Sequence, residues 1–179
     1  KTQIAEDAAG GKVAFFTRRY RKVILMAFCI AMFNQLSGIN AILYYAPKVM
    51  KLAGGEQVLG PAFPYVASVI VGLMNLIATM AALTVIDKLG RRQLMIVGSI
   101  GYLVSLGFLS AIMFAYKGGA FEEKSAVPVW LILLGLLAFI ASHAFGQGSV
   151  IWVFISEIFP NRVRARGQSL GSLTHWVFA

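Results

Sequence analysis

Four long apolar stretches dominate this chain and restrict what it can fold into. They cover about residues 23–47, 64–86, 94–116 and 128–154, and a helix needs about 20 apolar residues to cross a bilayer. Backbone N–H and C=O groups in lipid must be bonded internally, so we expect helices rather than open strands. The 179 residues are 59% hydrophobic and 13% charged, whereas soluble domains average about 45–50% and about 25%. The sequence therefore predicts an all-α integral membrane protein embedded in the lipid bilayer.

A fifth apolar stretch begins near residue 167 and runs to residue 179. Because about a dozen residues are too few to span a bilayer, we expect this chain to be a piece of a longer protein. Residues 1–22 are polar and end in the basic run "RRYRK". We interpret 1–22 as the end of a cytoplasmic linker and 23–179 as an incomplete helical bundle.

The basic residues are distributed unequally between the connections. Residues 1–22, 87–93 and 155–166 hold twelve of the 16 Lys and Arg, and the connections on the opposite side hold the other four. The positive-inside rule then places those three segments in the cytoplasm of a multi-pass cell-membrane protein. The net charge of +9 is thus explained by membrane topology, and we expect no nucleic-acid partner.

The predicted spans contain polar side chains but no acid or base near their centres. The polar set is Asn34, Gln35, Ser37, Asn40, Asn75, His143, Gln147, Trp152 and His175. Such groups are costly in lipid and usually face the bundle interior or a water-filled cavity. Amides also hold membrane helices together, so packing stays an alternative for each residue taken alone, His143 included. Two His, one Cys and no central carboxylate predict no catalytic residue, metal site or cofactor, and therefore no enzyme.

The first span combines its amides with a candidate helix interruption. On a straight helix the side chains of Gln35 and Asn40 point about 140° apart. They converge on one ligand only if the helix is interrupted between them, and Ser37-Gly38 lies in that gap. Gly and Ser pairs are a known cause of kinks, and transporters build midplane sites from interrupted helices. Amides and aromatic faces without formal charge suit a neutral polyol, which presents many hydroxyls and an apolar ring face.

Four motifs then resemble the sugar porters of the major facilitator superfamily. Residues 34–45, "NQLSGINAILYY", resemble the signature of the seventh helix, and residues 87–92, "DKLGRR", resemble the loop between helices eight and nine. Residues 148–167, "GSVIWVFISEIFPNRVRARG", resemble the tenth helix and its exit, and 174–176, "THW", match a position on helix eleven. The resemblance implies the C-terminal helical bundle of a twelve-helix transporter, from helix seven to the start of helix eleven.

The resemblance also implies a role for individual residues. It assigns substrate contacts to Gln35, Asn40, Asn75, Trp152, His175, Asn34 and His143, the outer gate to Tyr44 and Tyr45, and the cytoplasmic gate to Asp87, Arg91, Arg92, Glu157 and Arg164. Two residues depart from the family pattern: Asn34 stands where a Gln is usual, and His175 where Asn or Gln is usual. Histidines at 143 and 175 are similar to those of fructose-selective facilitators, although those facilitators lack a tryptophan at the position of Trp152.

The function implied by the resemblance is transmembrane transport of a neutral monosaccharide by alternating access. The expected substrate is a hexose such as glucose, fructose or galactose, or the pentose xylose. The expected partners are that monosaccharide and the N-terminal half of the same transporter. Uniport and proton symport both stay open, because the acidic residue that couples protons in this family lies outside the chain. A non-transporting sugar sensor of the same fold is the alternative.

Overall fold

The computed structural model of the protein describes residues 14–122 and 125–179, and all regular structure within these two stretches is helical. The helices are α1 (Arg21–Leu36), α2 (Ile39–Leu52), α3 (Gly55–Leu59), α4 (Phe63–Leu89), α5 (Arg91–Lys117), α6 (Val127–His143), α7 (Ser149–Ile158) and α8 (Asn161–Val177), with a π-helical turn, Ala144–Gly148, joining α6 to α7. Among the described residues, four helical stretches are long and apolar enough to cross a membrane, namely Arg21–Leu52, Phe63–Leu89, Arg91–Lys117 and Val127–Ile158. The prediction of an all-α membrane protein is confirmed.

Most helices extend beyond the apolar stretches that predicted them. The second stretch was expected over 64–86, but α4 continues through Asp87 and Lys88 to Leu89. Charged side chains lower the local hydropathy without breaking a helix, and long basic side chains reach the membrane surface from a helix end. The last helix likewise begins at Asn161, directly after Pro160, although its apolar residues begin near 167. The short helix α3 was not predicted.

The first membrane-length helix is interrupted at Ser37-Gly38, as predicted. α1 ends at Leu36, and α2 begins after Gly38, whose φ of 85° lies in the left-handed region. The Ser37 hydroxyl donates to the backbone carbonyl of Asn34 at 2.6 Å. Apart from Gly38 and its two chain neighbours, no described residue has an atom within 4 Å of the place where a Gly38 Cβ would sit, so the glycine serves backbone conformation rather than close packing.

The fourth membrane-length helix contains the π-helical turn. The Ser149 hydroxyl donates to the carbonyl of Ala144, five residues back, at 2.9 Å. Gly146 in this turn packs against Gly98 of α5 so closely that a Cβ at 98 would lie 3.0 Å from the Gly146 nitrogen and 2.8 Å from the Ser142 carbonyl oxygen. Small residues permit this backbone approach between membrane helices.

The chain divides into two compact units, each with its own core. The first unit comprises the chain up to Ser37 together with Ile151–Ala179, and the second is Gly38–Val150. The core of the first unit gathers Phe15, Tyr20, Ala27, Ala31, Ile151, Ile155, Phe159 and Val163. The core of the second is built around Met50, Val71, Ile132, Leu136, Phe139 and Ile140. The two unit boundaries fall at the α1–α2 interruption and within the first turn of α7, two residues after the π-helical turn.

Candidate substrate-binding site

Gln35 forms the best-defined polar contact of the first unit. It lies near the C-terminal end of α1 and is 6% exposed. Its Nε2 donates to the backbone carbonyl oxygen of His175 on α8 at 3.1 Å. A carbonyl oxygen only accepts hydrogen bonds, so this contact fixes the orientation of the amide. The buried Oε1 of Gln35 then has no hydrogen-bond partner among the described residues and is left as an acceptor.

Trp152 and His175 form an aromatic pair beside this amide. Their ring centroids lie 5.0 Å apart in an edge-to-face arrangement, a geometry that aromatic quadrupoles favour. Nδ1 of His175 is buried and makes no hydrogen bond within residues 14–122 and 125–179. Depending on the imidazole tautomer, this nitrogen donates or accepts, while the indole supplies a donor and an apolar face.

Asn34 precedes Gln35 on α1 and is only 3% exposed. In the part of the chain that the structure describes, its Oδ1 is buried and lacks a hydrogen-bond partner. An unpaired buried polar group costs about 1–3 kcal/mol. Asn34 and Gln35 thus present two buried acceptor oxygens, and the cluster of Gln35, Trp152 and His175 unites three residues predicted from the sequence.

The remaining predicted binding residues belong to the second unit. Asn40 is half-buried in the first turn of α2, and Asn75 is half-buried on α4. His143 is 4% exposed and lies among aromatic rings, with the Phe139 and Tyr102 centroids at 6.1 Å and 6.4 Å. These ring contacts fit the packing role for His143 that the sequence left open.

The two predicted outer-gate tyrosines are exposed on α2. Tyr44 and Tyr45 are 74% and 56% exposed, and the ammonium group of Lys48 lies 5.9 Å from the Tyr45 ring centroid. Neither tyrosine belongs to the core of the second unit. Their gating role stays a prediction.

The predicted cytoplasmic-gate residues are divided between the two units. Asp87 Oδ1 accepts from Arg91 Nη1 at 2.9 Å across the α4–α5 connection, where Gly90 has a φ of 81°. An exposed pair of this kind contributes about 1 kcal/mol or less. Arg92 is exposed in the second unit, whereas Glu157 and Arg164 are exposed in the first. Pairing between these two sets also stays a prediction.

Sequence reasoning missed two polar contacts of the second unit. Gln147 Nε2 donates to the Ser99 hydroxyl at 3.0 Å, next to the Gly98–Gly146 crossing. Lys51 lies 3.4 Å from a carboxylate oxygen of Glu56 and 5.2 Å from the Tyr65 ring centroid. Polarity singled out Gln147, but nothing in the local sequence pointed to Ser99 as its partner.

Comparison with known proteins gives consistent matches along the chain. The family model described as sugar (and other) transporter matches residues 2–179. The arabinose-proton symporter of Bacillus subtilis is 34% identical over 170 residues, which are 95% of this chain and 34% of that protein. The D-xylose-proton symporter of Escherichia coli is 34% identical over 155 residues, which are 87% of this chain and 29% of that protein.

A solved structure of a proton:xylose symporter of the major facilitator superfamily, bound to 6-bromo-6-deoxy-D-glucose, shares the fold. It superposes with a TM-score of 0.68 at 29% identity, over 87% of this chain and 30% of that one. The chain therefore spans about a third of the length of these relatives. Since the family model covers nearly every residue and the helices are of membrane length, the chain belongs to the sugar porters of the major facilitator superfamily, a family of multi-pass membrane proteins.

Proposed function

We propose that this chain is part of a transporter that carries a neutral monosaccharide across the membrane by alternating access. The observation that carries the proposal is the cluster of Gln35, Trp152 and His175, in which a fixed amide leaves a buried acceptor beside two aromatic rings. Hydroxyl groups of a sugar would donate to such acceptors, and the apolar face of its ring would pack on an aromatic surface.

The chemistry of the cluster suits an uncharged solute that must be released from the site after it has bound. Gln35, Asn34, Trp152 and His175 offer donors, acceptors and ring faces but no carboxylate or ammonium group. Each hydrogen bond to a sugar hydroxyl contributes about 0.5–1.5 kcal/mol net. Several such bonds give binding that is selective yet weak enough for release, as transport requires.

Residues of the second unit are also given proposed roles in transport. We assign Asn40, Asn75 and His143 to further sugar contacts, and Tyr44 and Tyr45 to closure on the outer side. Asp87, Arg91 and Arg92 would pair with Glu157 and Arg164 to close the cytoplasmic side. Bonds of about 1 kcal/mol each suit a gate that must open and close in every cycle.

The names of the relatives support a pentose or hexose substrate. One relative is named for arabinose and another for D-xylose, and the solved structure holds a modified glucose. A pentose or a hexose is therefore the proposed substrate of this protein. Both relatives are proton symporters by name, and we propose the same coupling to protons here.

Sugar uptake by the complete transporter in proteoliposomes tests the proposal. Uptake of radiolabelled arabinose, xylose, glucose, fructose and galactose would be measured with and without an inward proton gradient. Gln35→Ala is expected to reduce uptake about tenfold or more, because it removes an acceptor and leaves a buried carbonyl unpaired. Gln168→Ala is the matched control, since Gln168 is an exposed glutamine on α8 and its loss should leave uptake unchanged.

Three results would count against the proposal. Equal uptake by Gln35→Ala and the unmodified protein would refute the assigned site. Folded protein that takes up none of the five sugars would favour the sugar-sensor alternative. Uptake that is indifferent to the proton gradient would leave transport standing but refute the proposed coupling.

A further inference from the structure

An apolar groove on the first unit lies at the N-terminal end of α1, well separated along that helix from Gln35. Its volume is about 570 Å³, within the range of about 300–1,000 Å³ that small-molecule pockets occupy. Its hydrocarbon walls come from Phe16, Ile24, Leu25, Phe28 and Leu170. Phe16 and Leu25 are 80% and 59% exposed, so these large side chains offer substantial apolar surface to a ligand.

The groove follows one face of α1. Arg21, Ile24, Leu25 and Phe28 line it, and this spacing of three, four and seven residues places all four side chains on one stripe of the helix. At 1.5 Å per residue, Phe28 lies about 10 Å further along the helix axis than Arg21. The stripe therefore begins with a cation and continues as a little over one turn of apolar surface.

The entrance of the groove is basic. Arg18 and Arg21 both line it, and no carboxylate of residues 14–122 and 125–179 does. No described residue forms an ion pair with either arginine. The N-terminus of α1 adds partial positive charge, because the aligned peptide dipoles and first backbone N–H groups of a helix attract anions. Its preceding residue, Tyr20, provides no side-chain cap for these groups.

We propose that this groove binds an anionic phospholipid of the cytoplasmic leaflet. The phosphate would lie between Arg18 and Arg21 at the N-terminus of α1, and one acyl chain would run along Ile24, Leu25 and Phe28. The positive-inside rule places this end of α1 on the cytoplasmic side, where anionic lipids are concentrated and basic pockets between helices bind their headgroups.

A covering polypeptide fits the groove less well than a lipid does. A helix laid over the stripe would remove Arg18 and Arg21 from water, and burying an unpaired charge is costly unless the partner supplies carboxylates. A phospholipid carries an anionic phosphate followed by hydrocarbon chains. The groove matches this order, because its arginines are followed along α1 by its apolar side chains. It also leaves the arginines at the membrane surface, where long basic side chains normally reach.

Native mass spectrometry of the complete, delipidated transporter tests the proposal. Palmitoyl-oleoyl phosphatidylglycerol would be titrated, with palmitoyl-oleoyl phosphatidylcholine as the zwitterionic comparison. Arg18→Gln/Arg21→Gln is expected to weaken the tightest phosphatidylglycerol adduct about 30-fold, or about fivefold per arginine. The matched control is Arg19→Gln/Lys22→Gln, which removes the same charge from the same basic run at positions that do not line the groove. An equal loss in the control would mean diffuse attraction and would overturn the proposal.

Two further measurements test the acyl chain and the identity of the occupant. Leu25→Trp fills the groove while keeping both arginines, so it should also weaken phosphatidylglycerol binding; unchanged binding would overturn the proposal even if the arginine variant fails to fold. Millimolar inorganic phosphate should displace little lipid, and full displacement would show a simple anion site. A photoreactive residue at position 25 should cross-link to lipid in bilayers, whereas cross-linking to the transporter's own polypeptide would refute a lipid occupant.

Discussion

The crossing of α5 over the π-helical turn provides the sharpest test of the packing in the second unit. Gly98→Ala would introduce a Cβ that lies 2.8 Å from the Ser142 carbonyl oxygen and 3.0 Å from the Gly146 nitrogen, whereas ordinary van der Waals contact begins at 3.4 Å. All of these neighbours are backbone atoms, which cannot rotate away. The two helical segments must therefore separate.

The cost of that separation follows from the local geometry. A gap of roughly 0.5–1 Å forfeits about a quarter to a half of the dispersion energy at the contact, and overpacking of this kind typically costs about 1–3 kcal/mol. The neighbouring hydrogen bond from Gln147 to Ser99, at 3.0 Å, would stretch past useful length. Its loss adds about 0.5–1 kcal/mol. We expect Gly98→Ala to destabilise the transporter by about 2–4 kcal/mol.

A second glycine on the same helix supplies the matched control. A Cβ at Gly107 would meet nothing within 4 Å, so Gly107→Ala should be neutral or stabilising by about 0.5–1 kcal/mol through helix propensity. The free energy of unfolding of both variants would be measured by reversible denaturation with SDS in mixed micelles. Equal stabilities for the two variants would refute the close α5–turn crossing, and Ser99→Ala would isolate the hydrogen-bond contribution.

Two other predictions concern the helix interruption and the cytoplasmic gate. Gly38→Ala forces a φ of 85° on a residue with a Cβ and should lower the free energy of unfolding by about 1–2 kcal/mol. Gly72→Ala, at an uncrowded helical position, should not lower it. Equal midpoints of SDS denaturation for the two variants would contradict the left-handed conformation. Glu157→Ala should shift the transporter toward the inward-facing state by up to about fivefold, seen as faster labelling of cytoplasmic-side cysteines. Unchanged labelling, or the same change in the exposed control Glu122→Ala, would contradict the gate assignment.

The local features of the fold could be predicted from the sequence because their causes are local. Hydropathy alone identifies the helical spans, and the Ser37-Gly38 pair marks the interruption, since glycine adopts the left-handed region without strain. Hydropathy predicts the ends of helices poorly, as at Leu89. Charged residues end an apolar stretch of sequence, but the helix itself continues through them. The π-helical turn was not predicted: the residues Ala144–Gly148 carry no period that separates a π turn from the surrounding α-helix.

The candidate site was predictable as a set of residues but not as a set of contacts. Polar residues in apolar spans, together with the family motifs, identify Gln35, Trp152 and His175. Their contacts depend on the packing of α1 against α8, elements separated by 140 positions between Gln35 and His175. Moreover, the acceptor of the Gln35 bond is a backbone carbonyl, which every residue possesses and which no sequence pattern distinguishes.

That backbone contact explains why the site would favour a ligand rich in hydroxyl donors. An amide bonded only to water rotates to suit a donor or an acceptor, but the carbonyl of His175 holds Nε2 of Gln35 and leaves Oε1 to accept. Oδ1 of Asn34 adds a second buried acceptor without a partner among the described residues. Since each unpaired oxygen costs about 1–3 kcal/mol, a donor that reaches them recovers that cost, and an ether or a ketone does not. A fixed Gln35 amide would therefore select a ligand by hydrogen-bond direction. Gln35→Glu keeps an acceptor oxygen but loses the N–H group that donates to the carbonyl of residue 175, so it should weaken sugar binding by misplacing that oxygen.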